Sequence, residues 1–201
     1  MSLFRKVEIS VAIAIVASIF FSVLSFAATS EKIRNDVLRL HVIANSDSTV
    51  DQNLKLAVRD EILLKGKELF NGSVNVNNAV EKISPHIEEL EYYAEEIINQ
   101  RGYSYPVEIT IGKEYYKTRT YKTVTLPAGE YLSLIVRIGE AQGKNWWCVM
   151  FPPMCISVAD ENTVLKDVMN EEELKLVNSN PQFEPRFKII EIIENLKNKF
   201  R

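Results

Sequence analysis

Val37-Leu38-Arg39-Leu40-His41-Val42-Ile43-Ala44-Asn45-Ser46-Asp47-Ser48 reads as a strand that runs straight into a turn. Leu38, Leu40 and Val42 alternate with Arg39, His41 and Ile43. One face is therefore wholly apolar and the other carries two ionisable groups. Asn45-Ser46-Asp47-Ser48 is dense in side chains that bond nearby backbone and cap helices. The spacing beyond it predicts a helix from about Val50 to Phe70, with Leu54, Ala57, Val58, Ile62 and Leu69 on its buried stripe. Asn71-Gly72 supplies the stop. A strand turning tightly into a long amphipathic helix opens an α/β fold.

Downstream, Val76, Val80, Ile83, Ile87, Leu90, Ala94 and Ile97 recur at alternating steps of four and three, a heptad seam. Its phase survives Pro85, which predicts one kinked helix. The alternative is a break at Ser84, with Pro85 in the first turn of a new helix. The seam is expected to pack inside the domain rather than dimerise. Strands are expected at Val107–Ile111, within Tyr115–Leu126, at Tyr131–Ile138 and at Trp146–Met150. Near the C-terminus, Phe187, Ile190, Ile193, Leu196 and Phe200 form a further helical stripe, expected to pack on the domain. The architecture expected is an α/β two-layer sandwich: a mostly antiparallel sheet, covered on one face by two long helices, plus C-terminal helices.

The N-terminus has Arg5 and Lys6 ahead of an uncharged run from Ile9 to Phe26, closing on Ser25-Phe26-Ala27. Basic lead, apolar run and small-residue exit form the pattern of a secretory signal peptide. The run is also long enough to cross a bilayer uncut. Both readings put the rest of the chain outside, and cleavage before Ala28 is the favoured one. The division expected is 1–28 as signal peptide or membrane anchor, 29–160 as a single α/β domain, and 161–201 as a helical extension. The formal net charge is −3, and removing Arg5, Lys6 and Glu8 leaves −4. With no Lys/Arg block, nucleic acid is not an expected partner. No cofactor and no metal site are expected, since two acids at Asp47 and Asp51 are too few ligands.

A second stretch, Gly143-Lys144-Asn145-Trp146-Trp147-Cys148-Val149-Met150-Phe151-Pro152-Pro153-Met154-Cys155, holds both tryptophans and both cysteines of the chain. Adjacent tryptophans on a strand point to opposite faces, so one can enter the core while the other meets a partner. The prolines force the chain out of the sheet. Cys148 and Cys155 flank that turn, as a disulfide or as two buried thiols. A bridge would add roughly 2–3 kcal/mol. Trp146 and Trp147 are the leading partner-binding candidates, with Lys144 and Asn145 as a polar rim, and Asp47 and Arg119 as further surface contacts.

The two stretches, with Asp51-Gln52, Leu54-Lys55-Leu56 and Val58-Arg59-Asp60 after the first, resemble stage II sporulation protein R of endospore-forming bacteria. So do Pro106-Val107-Glu108, Thr118-Arg119-Thr120-Tyr121 and Leu126-Pro127-Ala128-Gly129-Glu130-Tyr131. The likeness covers about residues 37–156 and the export signal. It implies a sporulation signal made in the forespore and exported into the space between forespore and mother cell. There it triggers a membrane-embedded aspartic protease that processes the pro-form of the early mother-cell sigma factor. It implies no enzyme activity and no catalytic residues in this chain. The rival reading is an exported cysteine/histidine hydrolase acting on cell wall or peptide. His41 would serve a free cysteine there, and His86 is the only other histidine.

Overall fold

The computed structural model describes residues 2–121, 124–154, 165, 168–178 and 185–199. Helix α1 (Leu3–Asn35) leads into strand β1 (Leu38–Ile43). Helix α2 (Thr49–Leu69), helix α3 (Val76–Ile83), a 3-10 turn (Ser84–His86) and helix α4 (Ile87–Asn99) follow. Then come β2 (Val107–Tyr116), β3 (Arg119–Tyr121), β4 (Val124–Leu126), β5 (Gly129–Ile138) and β6 (Asn145–Phe151). Helices α5 (Glu171–Val177) and α6 (Pro185–Lys199) complete the described chain.

The main sheet has the order β2-β5-β1-β6, and β3 and β4 pair as a separate hairpin. β5 is antiparallel to β2 but parallel to β1, while β6 is antiparallel to β1. The sheet is thus mixed. The parallel step is possible because the long helical excursion between β1 and β2 lets the chain cross over before β5 is laid down.

The apolar alternation of β1 decides the first layer. Leu38, Leu40 and Val42 are fully buried and share one core with Leu134, Val136, Ile138, Cys148 and Met150 of the sheet. Val58 and Ile62 of α2 and Ile83, Leu90, Ala94 and Ile98 of α3–α4 close over them. The heptad seam packs within the domain. Pro85 sits inside the 3-10 turn, and the Ser84 hydroxyl donates back to the Val80 carbonyl at 2.7 Å. Ser84 therefore ends α3 instead of capping α4, and the helical path continues across the proline.

The two-layer expectation needs correction, because the opposite face is covered as well. Phe26, Ile33, Tyr116, Val124, Leu126, Tyr131, Val149, Leu176, Phe187 and Ile190 form a second core there. It is roofed by the C-terminal end of α1, by α5 and α6, and by the β3–β4 hairpin. The α/β fold is therefore three-layered. The cause lies in α1: the boundary expected at residue 28 falls inside an unbroken helix, and Phe26, Ser30 and Ile33 are buried against the domain. The Phe26 ring meets Phe187 edge to face at 5.0 Å. Toward its start the same helix is apolar and exposed, with Ile13, Val16, Phe20 and Phe21 uncovered. Its most apolar window has a mean hydropathy of 2.5, and it is long enough to cross a membrane.

Candidate interaction site

Trp146 and Trp147 follow the strand alternation. Trp146 lies opposite Val42 on the α2 side of the sheet, and Trp147 opposite His41 on the hairpin side. Trp146 is 39% exposed, and the Arg59 guanidinium of α2 stands 4.3 Å above its ring. Trp147 is half-buried, stacked on the His41 ring at 5.6 Å, with the Arg119 guanidinium 4.6 Å from its ring centre. A cleft of about 230 Å³ joins the two sides, lined by Arg59, Asp60, Leu63, Tyr121, both tryptophans and Cys148. The sheet's last strand thus presents two aromatic plates, each beside an arginine. Such surfaces are rich in the residue types that dominate binding energy.

Beneath this surface the hairpin side of the sheet is polar and enclosed. His41 Nδ1 is within hydrogen-bond distance of the Glu114 carboxylate at 2.9 Å, and the Tyr116 hydroxyl donates to Glu114 at 3.0 Å. Burial raises the Glu114 carboxyl, but the hydrogen bond and charge of His41, with Tyr116 and Arg137, outweigh it and hold the group below its usual value. Burial pushes the Tyr116 and Tyr131 phenols up. Arg39 is fully buried among the rings of Tyr116, Tyr131 and Tyr121, at 3.8, 4.9 and 5.7 Å.

The remaining expected contacts lie around the turns. Asp47 accepts the Lys144 backbone N–H at 2.6 Å, and the Lys144 carbonyl accepts the Lys55 ammonium at 2.8 Å. Asn145 is exposed at the start of β6, paired with Ile43. Asp47 and Lys144 therefore tie the β1–α2 turn to the β5–β6 turn, beside the cleft. Trp146, Trp147 and Arg119 come together at the cleft itself. Arg59 and Tyr121 line the same cleft, Glu114 holds His41 behind Trp147, and none of the three was singled out from the sequence as a site residue. Arg59 falls at helical spacing on the flank of the α2 stripe. Glu114 is separated from His41 by the whole of β5, so no local pattern links them.

Cys148 is buried in the α2-side core and disulfide-bonded. Cys155, the other half of the expected bridge, lies outside the described residues. His41 projects to the opposite face of the sheet from Cys148, so those two side chains do not make a nucleophile–base pair. His86 is half-buried and bonds Glu89 at 2.8 Å. Among the described residues no group of three or more His, Cys, Asp or Glu is placed to hold a metal ion.

The sequence profile of the stage II sporulation protein R family matches residues 34–161, well over half of the chain. The protein named stage II sporulation protein R from Bacillus subtilis (strain 168) is 29% identical over 143 residues, 71% of this chain. The match spans 64% of that relative's length. No solved structure matches. The matched segment carries β1 with its capped turn, the hairpin and β6 with both tryptophans, so the elements that build the cleft are those that carry the likeness: the chain belongs to the stage II sporulation protein R family.

Proposed function

We propose that this protein is an exported sporulation signal that activates a membrane-embedded aspartic protease of the mother cell by direct contact. The activated protease then processes the pro-form of the early mother-cell sigma factor. The observation that carries the contact is the cleft between α2 and the hairpin, where exposed Trp146 and half-buried Trp147 each sit beside an arginine. Family membership supports the sporulation role. The apolar start of α1 supports export with the domain outside the membrane. A Cys148–Cys155 bridge suits that oxidising side. The placement of His41 and Cys148 on opposite faces gives the hydrolase reading no support.

The test is co-expression of this chain, the candidate aspartic protease and the pro-sigma factor in a non-sporulating host. Shortening of the sigma factor that needs both the chain and an intact protease supports the proposal. No shortening, with the chain exported and folded, refutes it.

A further inference from the structure

β6 is an edge strand: the sheet order β2-β5-β1-β6 gives it β1 on one side only. An edge strand turns alternate backbone N–H and C=O groups outward, where a further strand can pair with them. The opposite edge is closed, because the Glu95 and Glu91 carboxylates accept the N–H groups of Val107 and Ile109 on β2. The β6 edge is open beside Trp146 and Trp147. The cleft there touches Arg59 and Leu63 on the α2 side of the sheet and Tyr121 on the hairpin side. β1 seals the inner flank of β6, so one cavity that reaches both faces passes around the outer edge of the strand. Its volume of about 230 Å³ falls below the roughly 300–1,000 Å³ of small-molecule sites. The charges around it do not cancel. Asp60 pairs with Arg59 at 2.6 Å, and Asp47 acts on the Lys55 ammonium. Arg119 lies against the Trp147 ring, and Lys144 directly precedes the strand. Both are exposed, and among the described residues neither side chain pairs with a carboxylate.

We infer that this edge receives an extended segment of the protein partner, with alternating apolar and acidic side chains, as a fifth strand of the four-stranded sheet. The inference deepens the reading above by stating how the partner occupies the cleft, and it rests on that reading only for the partner's identity. Side chains of an added strand alternate between the two faces. On the α2 side they meet Trp146 and Leu63, where Asp60 already neutralises Arg59, so an apolar residue fits. On the hairpin side they meet Trp147 and the unpaired Arg119, so a carboxylate fits. Lys144 at the start of β6 favours the same sign of charge. Backbone bonds along the edge supply the affinity, and the environments of the two tryptophans read the alternation. The adjacent pair of tryptophans thereby acquires a purpose: a ligand seated on one face would need only one of them.

Trp146 and Trp147 are the only tryptophans of the chain, so tryptophan fluorescence reads this edge alone. The full chain in detergent micelles is titrated with a capped hexapeptide of alternating valine and glutamate, and with its valine–lysine counterpart. The glutamate peptide is expected to give a saturable emission shift below about 1 mM, and the lysine peptide to bind at least about tenfold more weakly. Strand addition uses the amides of one alternating set only. N-methylation of that set should weaken binding by about tenfold or more, and methylation of the other set should leave it within about threefold. Arg119→Glu should bring the two unmethylated peptides within about threefold of each other and lower sigma-factor processing in the co-expression assay. The uncharged Arg119→Gln should narrow the gap as well, and serves the same test if the glutamate lowers the melting temperature. No saturable shift in wild type overturns the inference. Equal effects of the two methylated sets, or none from either, overturn strand addition. An unchanged peptide preference in a folded Arg119 variant overturns the acidic assignment. If the peptides behave as expected but Arg119→Glu still triggers processing in full, the edge takes acidic strands other than the protease's and the partner claim falls. The peptide arms need no protease, so they stand even where the proposed signalling role fails.

Discussion

Asp51 holds the first turn of α2 to the end of β1. Its carboxylate accepts from the Asn45 amide at 2.9 Å and the Ser46 hydroxyl at 2.5 Å, and its own N–H is capped by Ser48 at 3.1 Å. The Ser46 hydroxyl is the main cause that holds the carboxyl below its usual 3.8, with desolvation opposing it and Asn45 and Ser48 adding to it. A carboxylate depressed on folding stabilises the native state above the unfolded value, and that contribution fades as the pH falls through the folded one. Asp51→Asn should therefore lower stability at neutral pH by about 1–3 kcal/mol. It should also flatten the loss of stability below pH 3.8, both read from urea unfolding at several pH values. At the cleft, Trp146→Ala should abolish sigma-factor processing while changing stability by less than about 0.5 kcal/mol. Trp147→Ala should cost about 1–3 kcal/mol, since it removes the plate on His41. Equal destabilisation by both would make both core residues. The Ser48 cap and the alternation of the tryptophans were legible in the sequence, because both depend on neighbours within four residues. The His41–Glu114 pair and the buried state of Arg39 were not, because strand order alone creates them.

Elements show the same division between local and distant causes. The capped start of α2 and the strands at β1, β5 and β6 follow from periodicity and turn residues. Pro85 left two readings open, and the structure combines them: the path stays helical, but through a 3-10 turn that needs no N–H from the proline. Tyr115 to Leu126 gave only a Tyr- and Thr-rich strand signal, which the fold divides between the end of β2 and a separate hairpin. At the outer strand β2, Glu95 and Glu91 of α4 accept the N–H groups of Val107 and Ile109 at 3.0 and 2.7 Å. Carboxylates one helical turn apart thus cover N–H groups two residues apart on the strand, blunting that edge. A Glu91→Ala/Glu95→Ala variant should lose hydrogen-exchange protection at Val107 and Ile109 by roughly tenfold or more, leaving Leu40 unchanged. Unchanged protection at β2 would mean the carboxylates contribute nothing there. At the β5–β6 turn, a Cβ on Gly143 would collide with the Ser46 carbonyl. Gly143→Ala should therefore destabilise by about 1–3 kcal/mol, as a backbone clash that cannot relax by rotating a side chain.

Across the whole molecule, α1 is the element the sequence described least completely. Its apolar run and its fitness to enter a membrane were plain from composition. The continuation of the same helix into the second core was not, because Phe26 and Ile33 find their partners in α5, α6 and β5. Deleting residues 2–22 should leave a folded domain, while deleting residues 2–36 should strip Phe26 and Ile33 from their core. Burying each such side chain is worth about 1.5–3 kcal/mol. The longer deletion should thus lower the melting temperature by about 10 °C or more, and equal melting of the two fragments would show that the packed end of α1 contributes nothing. The layered build separates two surfaces: the cleft lies at the β6 edge of the sheet, whereas α4 packs over β2 at the opposite edge. Site-specific photocrosslinking tests contact at the cleft most directly. A photoreactive residue placed at Trp146, and in a control at exposed Tyr92 of α4, would be activated in membranes that contain the protease. The account predicts a covalent adduct with the protease from position 146 and none from position 92. An adduct from 92 alone would contradict it.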